Sequence, residues 1–342
     1  MSELGPKGGG MDDDRELMVD IARSYYLEDR PKTEIATRLG LSRFKIARLL
    51  EQARDEGLVR ITILDGVVRD GHLSERLAEH LQLDRTTVVA GAEDEAENRE
   101  ALAQAAASDV RRSVHPGDVF GFSWGRTLAK IGAFMELLPE STLVALTGSV
   151  GTDFEQSPVE VLRGVAGRSQ VRTMSIFAPL FVESESTAQA LRRDPAIATV
   201  LATYGSLSLA VVSVGSWNPL ITQVQESLSD SDRAELDEQA ARAEMVGIFI
   251  RDDGSPVEAA LTRRRISISA KQLIAVPQVL AVAGGLDKVP AIAAVARSRI
   301  INALITDERT ARALLELEPV PPGPRQLPTE TAHEHASRGH RR

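Results

Sequence analysis

A chain of 342 residues is long enough for two domains, and 43% hydrophobic residues can fill a large core, which 4% aromatics make an aliphatic one. The absence of cysteine excludes disulfides, thiolate metal sites and cysteine nucleophiles. No apolar run is long enough to span a bilayer and no signal-peptide pattern opens the chain, so a cytoplasmic protein is expected; with a formal net charge of −9, any contact with nucleic acid must be local rather than a general polyanion coat.

Residues 1–14 run from Gly8-Gly9-Gly10 to Asp12-Asp13-Asp14 and are expected to be disordered, with Met11 as an alternative start. A helix is predicted over Arg15–Leu27, with Leu17, Met18, Ile21, Ala22 and Tyr25 as its buried stripe. Pro31 opens a second helix, where its fixed φ is tolerated, and Ile35, Ala36 and Leu39 share one face of it. Gly40-Leu41-Ser42 breaks the pattern. Ser42 suits the N-cap of a third helix, because its hydroxyl can accept from a free first-turn amide. Ile46, Ala47, Leu49, Leu50 and Ala53 form the inner side of that helix, which Gly57 ends. Arg43, Lys45 and Arg48 remain on its exposed N-terminal part.

Two helices joined by so short a turn fit either an ordinary αα-hairpin with a solvated face or a helix-turn-helix, which presents this part of its second helix to the major groove. The short turn, Gly followed by an apolar residue and a cap, favours the second, and so does charge. From Pro31 to Arg60, seven basic side chains (Lys32, Arg38, Arg43, Lys45, Arg48, Arg54, Arg60) face four acidic ones (Glu34, Glu51, Asp55, Glu56) in a chain that is acidic overall. The candidate DNA-contacting residues are Thr33, Ser42, Arg43, Lys45 and Arg48. Leu58–Ile63 alternates as a strand does and is expected to close this domain as a wing, giving a small all-α, winged domain over residues 15–64 and a linker over residues 65–71.

From His72 the pattern changes to alternating helices and strands. Helices are predicted over His72–Leu83, Ala96–Ser113, Arg126–Leu137, Val159–Ala166, Val289–Ala296 and Glu308–Leu315. Strands are predicted over Thr86–Ala90, Val119–Phe122, Leu143–Leu146, Val171–Ile176, Leu207–Val214, Val246–Ile250, Val279–Ala283 and Ile300–Ile305, with a further apolar strand opening at Ile266. Continuous apolar strands alternating with helices imply an α/β domain, a parallel-rich doubly wound sheet covered on both faces, over residues 72–318. Residues 319–342, rich in Pro, Thr, His and Arg, are expected to form a disordered tail.

In such sheets ligands sit at the carboxyl ends of the strands. Four predicted ends here carry small and polar residues: Ser123-Trp124-Gly125-Arg126-Thr127, Thr147-Gly148-Ser149-Val150-Gly151, Gly215-Ser216, and Gly284-Gly285 followed by Lys288. One such end is ordinary turn chemistry. Four in one sheet point to a polar small-molecule pocket, where backbone amides and a lysine suit a sugar or sugar phosphate. Trp124 either stacks on a sugar ring or fills the core. Arg263-Arg264-Arg265 is either a solvated run or, at its last member, a pocket residue. No nucleophile elbow, Walker lysine or metal-spaced histidine pair occurs; His72, His80 and His115 are isolated and expected at the surface. No catalytic residue, metal or cofactor is expected.

With both halves in view, the chain resembles the SorC/DeoR-type family of sugar-responsive bacterial transcriptional regulators from about Arg15 to Leu315. The strongest motifs are LGLSRFKIARLLEQARDEGLVRITI (Leu39–Ile63) and VPQVLAVAGGLDKVPAIAAV…INALITDERTARALL (Val276–Leu315), supported by GFSWGRTL (Gly121–Leu128) and LTGSVG (Leu146–Gly151). The resemblance implies a helix-turn-helix joined to a phosphosugar isomerase-like effector domain, a homo-oligomer (dimer or tetramer), operator DNA as partner, and a sugar, polyol or sugar phosphate as effector. It also implies Ser123, Gly125, Arg126, Thr127, Thr147, Gly148, Ser149, Glu244, Arg265 and Lys288 as effector contacts, beside the Trp124 and Gly215 read from the strand ends. Thr147 stands where some phosphosugar-binding members have arginine, Ser157 and Val159 where they have Gln and Asn, and Asp252 or Asp253 must serve for an aspartate near Arg251. These departures argue against a bisphosphate effector. Two rival readings are a sugar-phosphate isomerase with an accessory DNA-binding head, and a helical head used only for assembly.

Overall fold

Helix α1 (Gly10–Tyr26), α2 (Lys32–Leu39) and α3 (Arg43–Asp55) form the first of two compact units, Met1–Gly66 and Val67–Arg342. The computed structural model describes residues 10–326 apart from 27, 29, 60–68, 93, 152–156 and 168. Met18, Ile21 and Ala22 of α1, Ile35 and Ala36 of α2, and Ile46, Leu49, Leu50 and Ala53 of α3 make its core. Gly40 turns the chain at φ 64°, a left-handed conformation that glycine adopts without penalty. The Ser42 hydroxyl accepts from the Lys45 amide at 3.2 Å and so starts α3. Arg38, though exposed, donates to Asp20 at 2.8 Å and to Ser24 at 2.9 Å, linking α2 to α1. Helix α1 begins at Gly10, within the segment predicted to be disordered. Of the predicted wing strand, Leu58 and Val59 are half-buried beside the three-helix core, and the remainder lies outside the described residues.

The second unit begins before the predicted boundary. Arg69 bridges Val89, and Asp70 caps α4 (Gly71–Leu81) by accepting from Leu73, so residues 69–71 belong to the unit rather than to a linker. Its core is a seven-stranded parallel sheet. The strands are β1 (Arg85–Val89), β2 (Val119–Phe122), β3 (Ser141–Ala145), β4 (Val171–Met174), β5 (Leu207–Ser213), β9 (Gln278–Val282) and β10 (Ala303–Asp307), in the spatial order β1-β10-β9-β5-β2-β3-β4. Between β5 and β9 the chain builds a small antiparallel sheet, β6 (Gly215–Ser216), β7 (Ala243–Met245) and β8 (Ile248–Ile250). Inner strands such as Leu209–Val212 and Val279–Val282 are buried on both faces, which is why they read as unbroken apolar runs. Helices α5 (Glu95–Ser113), α6 (Leu128–Ile131) and α7 (Pro158–Ala166) pack in succession as one layer; after α8 (Glu185–Arg193), α9 (Pro195–Ala202), α10 (Asp230–Glu238), α11 (Ala260–Arg263) and α12 (Ala270–Ala275), α13 (Val289–Arg297) and α14 (Glu308–Leu315) pack with α4 as another.

The order fixes where a ligand can sit. From β2 the chain steps outward through β3 to β4; it then returns to β5 on the other side of β2 and proceeds through β9 to β10. The reversal leaves a crevice at the carboxyl ends of β2 and β5.

Several predicted elements differ. The helix expected over Arg126–Leu137 is only α6 followed by one 3₁₀ turn, Gly132–Phe134. At Gly132 the chain passes α7 so closely that a Cβ would lie 2.5 Å from the Gly164 backbone. Gly132→Val should therefore cost about 1–3 kcal/mol through overpacking, read as a lowered urea midpoint at unchanged slope. The strand expected over Val246–Ile250 is a hairpin, β7 and β8 turning through Val246 and Gly247; the strand expected over Ile300–Ile305 begins only at Ala303; and Ile266 lies between isolated bridges rather than in a strand. Residues 319–326 are not a disordered tail. Val320 is buried and donates its amide to the His80 carbonyl at 2.9 Å, while the Arg325 guanidinium donates to the carbonyls of Val276 and Ile300 at 2.7 and 2.8 Å. One guanidinium supplies donors for carbonyls ahead of β9 and β10, which composition cannot reveal. Residues 327–342 lie outside the described residues.

Candidate functional site

A cavity of about 540 Å³ opens at the switch point between β2 and β5. Its wall comes from several segments. Trp124–Thr127 follows β2, Gly215 follows β5, and Gly284, Gly285 and Lys288 follow β9. The first turns of α5 supply Glu95, Asn98 and Arg99, and the loop before α10 (Asp230–Glu238) supplies Thr222, Gln225 and Glu226. Glu244 of β7 reaches it from the small sheet.

Glycine is needed where β6 meets β7. In the register Gly215 faces Glu244, and a Cβ on Gly215 would stand 2.8 Å from the Thr222 hydroxyl and 3.0 Å from Glu244 Oε2. Its absence lets those two polar groups meet beside the cavity: the Thr222 hydroxyl donates to Glu244 Oε2 at 3.2 Å. On its other oxygen, Glu244 accepts from the Gly247 amide at 2.6 Å. The turn that delivers this amide holds Val246 at φ 50° and Gly247 at φ 77°. A β-branched residue in the left-handed region costs about 1–3 kcal/mol, so the hairpin carries strain where it aims Glu244.

Two ionisable groups in the wall are displaced from their ordinary values. Glu244 is 3% exposed, and burial pushes its carboxyl up to about 7, against the opposing pull of the Gly247 amide, Thr222, Arg265 and Lys288. The half-buried Lys288 ammonium donates to the Val214 carbonyl at 2.8 Å. Burial brings it down to about 8, with Arg126 and Arg99 acting in the same direction and Glu95 and Glu244 against. Both groups are held in a pocket that solvates charge poorly, so each gains from a ligand that supplies a partner.

Of the predicted effector residues, Trp124, Gly125, Arg126, Thr127, Gly215, Glu244 and Lys288 line the cavity; Ser123, Thr147, Gly148, Ser149 and Arg265 do not. Ser123 is buried and accepts from the Ser213 amide at 3.2 Å, tying β2 to β5. The loop after β3 is stitched sideways: the Gly148 amide donates to Ile266 and the Ser149 amide to Ala178, both at 2.9 Å. It is the next residues, Val150 and Gly151, that reach the cavity. Arg265 lies behind the hairpin and donates to the Gly247 carbonyl at 3.0 Å, so it braces the turn that aims Glu244. Trp124 does both things expected of it in alternative: it is 3% exposed in a second core with Trp217 and Phe249, and it lines the cavity. The sequence reading missed Glu95, Asn98, Arg99, Thr222, Gln225 and Glu226. Of these, Glu95, Asn98 and Arg99 were signalled by their spacing on one turn after the Asp94 cap.

In the first unit, Thr33, Ser42, Arg43, Lys45 and Arg48 are all exposed. His72 and His115 are exposed, whereas His80 is half-buried, its Nε2 without a partner among the described residues. Among the described residues no group of acidic or histidine side chains is arranged to hold a metal ion, and no helix is long and apolar enough to cross a membrane.

A parallel sheet with a polar cavity at its switch point defines a small-molecule-binding domain. Residues 66–316 match the family described as "Putative sugar-binding domain". The chain is 31% identical over 314 residues to the erythritol catabolism regulatory protein EryD of Brucella abortus (strain 2308), a match spanning 89% of this chain and 98% of that protein. It is 28% identical over 317 residues to the sorbitol operon regulator of Klebsiella pneumoniae, spanning 89% and 99%. The solved structure of full-length SorC from the same organism covers 89% of this chain and 100% of its own, at 25% identity and a TM-score of 0.67. The chain belongs to the SorC/DeoR-type family of sugar-binding transcriptional regulators.

Proposed function

We propose that this regulator reads operator DNA through a helix-turn-helix made of α2 and α3, and that a sugar, polyol or sugar monophosphate in the cavity alters that binding. The observation that carries the effector half is the pairing, in one cavity wall, of a buried carboxylate and a half-buried ammonium. Glu244 and Thr222 can take neighbouring hydroxyls, while Lys288 and Arg126 can take a phosphate or other anionic end. Trp124, Gly125, Arg126, Thr127, Gly215, Glu244 and Lys288 are the proposed effector contacts, with Arg99 and Asn98 added from the wall. Thr33, Ser42, Arg43, Lys45 and Arg48 are the proposed DNA contacts. Because one three-helix unit offers few base contacts, a symmetric dimer or tetramer pairing two units across half-sites is the proposed reader. The effector must bind one arrangement of that assembly better than another, since equal affinity shifts nothing.

A thermal-shift series of sugars, polyols and their monophosphates tests the proposal, because a ligand that binds only the folded state raises its melting point. The expected result is a rise for at least one compound, which then changes operator affinity in a gel-shift titration. A compound that raises the melting point and leaves operator affinity unchanged at saturation overturns the effector role.

The displaced values of Glu244 and Lys288 favour a second reading, since such pairs serve acid–base catalysis. It requires turnover: a pentose or hexose phosphate that binds must be converted to its isomer. Binding that alters operator affinity without conversion decides for the regulator.

A further inference from the structure

Phe44 is 87% exposed. It is the second residue of a 13-residue helix, α3, whose Ile46, Leu49, Leu50 and Ala53 are all buried. At about 100° per residue, those four define the inward direction of the helix, and Phe44 points within about 20° of the opposite one. Arg48, four residues on, lies on the same outward line. Arg43 and Lys45 fall about a quarter turn to either side. An aromatic ring thus stands at the crest of the exposed face, at the helix's N-terminal end, flanked on both shoulders by a cation.

This arrangement is complementary to a major groove. The floor of the groove displays base edges, including the C5 methyl of thymine, and its two walls are phosphate chains. We infer that Phe44 reads a thymine methyl group in each half-site, that Arg48 contacts a base beside it, and that Arg43 and Lys45 hold the phosphates of the two walls. The inference rests on the proposed DNA-binding role of α3 and divides that role among its residues: the ring supplies sequence preference, and the shoulder cations supply salt-dependent affinity. Gln52, on the same face one turn beyond Arg48, has its amide engaged with Glu56, to which it donates at 2.7 Å.

The test uses the full-length protein. Repeated selection from a random duplex pool defines the bound sequence, and each thymine in it is then replaced singly by deoxyuridine, which lacks only the methyl group. At one thymine per half-site the replacement should weaken the wild type about fourfold, the effect of one buried methyl group, and should leave Phe44→Ala unaffected. Arg43→Ala and Lys45→Ala should keep the uracil effect, each lowering the salt slope by about 1. If Phe44→Ala retains its helical circular dichroism but binds no duplex, Phe44→Leu carries the same comparison, with a smaller uracil penalty than the wild type expected. Equal uracil penalties in the wild type and the Phe44 variant, or no penalty at any thymine, overturn the assignment to Phe44. So does a Phe44→Ala protein that changes its oligomeric state while keeping its uracil response. Failure of the wild type to select any duplex is a different result and overturns the DNA-binding reading itself.

Discussion

Replacing Arg43 and Arg48 together with alanine should lower operator affinity by about two to four orders of magnitude. A base contact by arginine is worth about 1–3 kcal/mol, a phosphate contact adds salt-dependent affinity, and a symmetric reader loses both at each half-site. The fold should survive, because both side chains are exposed and the Ser42 cap and the Ile46, Leu49 and Leu50 core are untouched. Sedimentation and effector-induced thermal shifts should therefore match the wild type while gel shifts disappear. Retained operator binding in the double variant would reject α3 as the reading helix. Loss of assembly together with loss of binding would instead favour a head that serves oligomerisation.

The second large effect is expected at Lys288. Its folded value, about 8, lies below its ordinary value of 10.5. The sign of the linkage follows: between those values the unfolded chain still binds the proton and the folded chain does not, so stability of the ligand-free protein rises as pH climbs from about 8 to 10.5. Glu244 acts in a lower window. With a folded value of about 7 against 4.5, it is protonated in the folded chain and ionised in the unfolded one between these values, and stability falls as pH rises through them. An anionic effector placed against Lys288 restores its proton, so affinity for such a ligand should fall as pH rises above about 8. Lys288→Met should abolish both the upper stability rise and the pH dependence of binding. It should also weaken an anionic effector by about 10- to 150-fold, the loss of one charge-assisted hydrogen bond. A neutral polyol, held by Glu244 and Thr222, should be affected far less. Calorimetry with paired compounds, a polyol and its monophosphate, separates the two cases, and an unchanged phosphate affinity in Lys288→Met would remove Lys288 from the site.

The candidate site was legible in the sequence to the extent that it is built from strand ends. Gly215 follows an apolar run directly, Gly125 and Lys288 lie in the loops just past two others, and a parallel sheet brings all carboxyl ends to one edge. Glu244 was not legible in this way. It lies on a short antiparallel strand whose alternation is too brief to show a period, and only the resemblance pointed to it. Thr147 and Gly148 show the converse limit. They sit at a strand end like the others, but the bridge from Thr147 to Ser267 and the hydrogen bond from the Gly148 amide to Ile266 turn them away from the cavity. Arg265 carried the signal of a pocket arginine and serves the Gly247 carbonyl instead, because which neighbour an arginine meets depends on a hairpin 18 residues away in sequence.

The sequence by itself determined the local elements whose cause is local. Ser42 and Gly40 bound a helix through hydroxyl capping and left-handed backbone, and unbroken runs such as Leu209–Val212 require strands buried on both faces. The heptad-like stripes of α1 and α3 required a helical core. Tertiary structure alone decided what depends on distant partners. The order β1-β10-β9-β5-β2-β3-β4 placed the reversal, and so the cavity, between β2 and β5. Close passage at Gly164 cut the predicted helix after Ile131 short. Desolvation among groups from separate segments moved Glu244 and Lys288 toward neutrality. Arg325 fastened to the sheet a segment whose composition resembles a tail. Hydrophobic periodicity and capping act over a few residues and can be read along the chain, whereas desolvation, close approach and strand order arise only between segments that the fold has brought together.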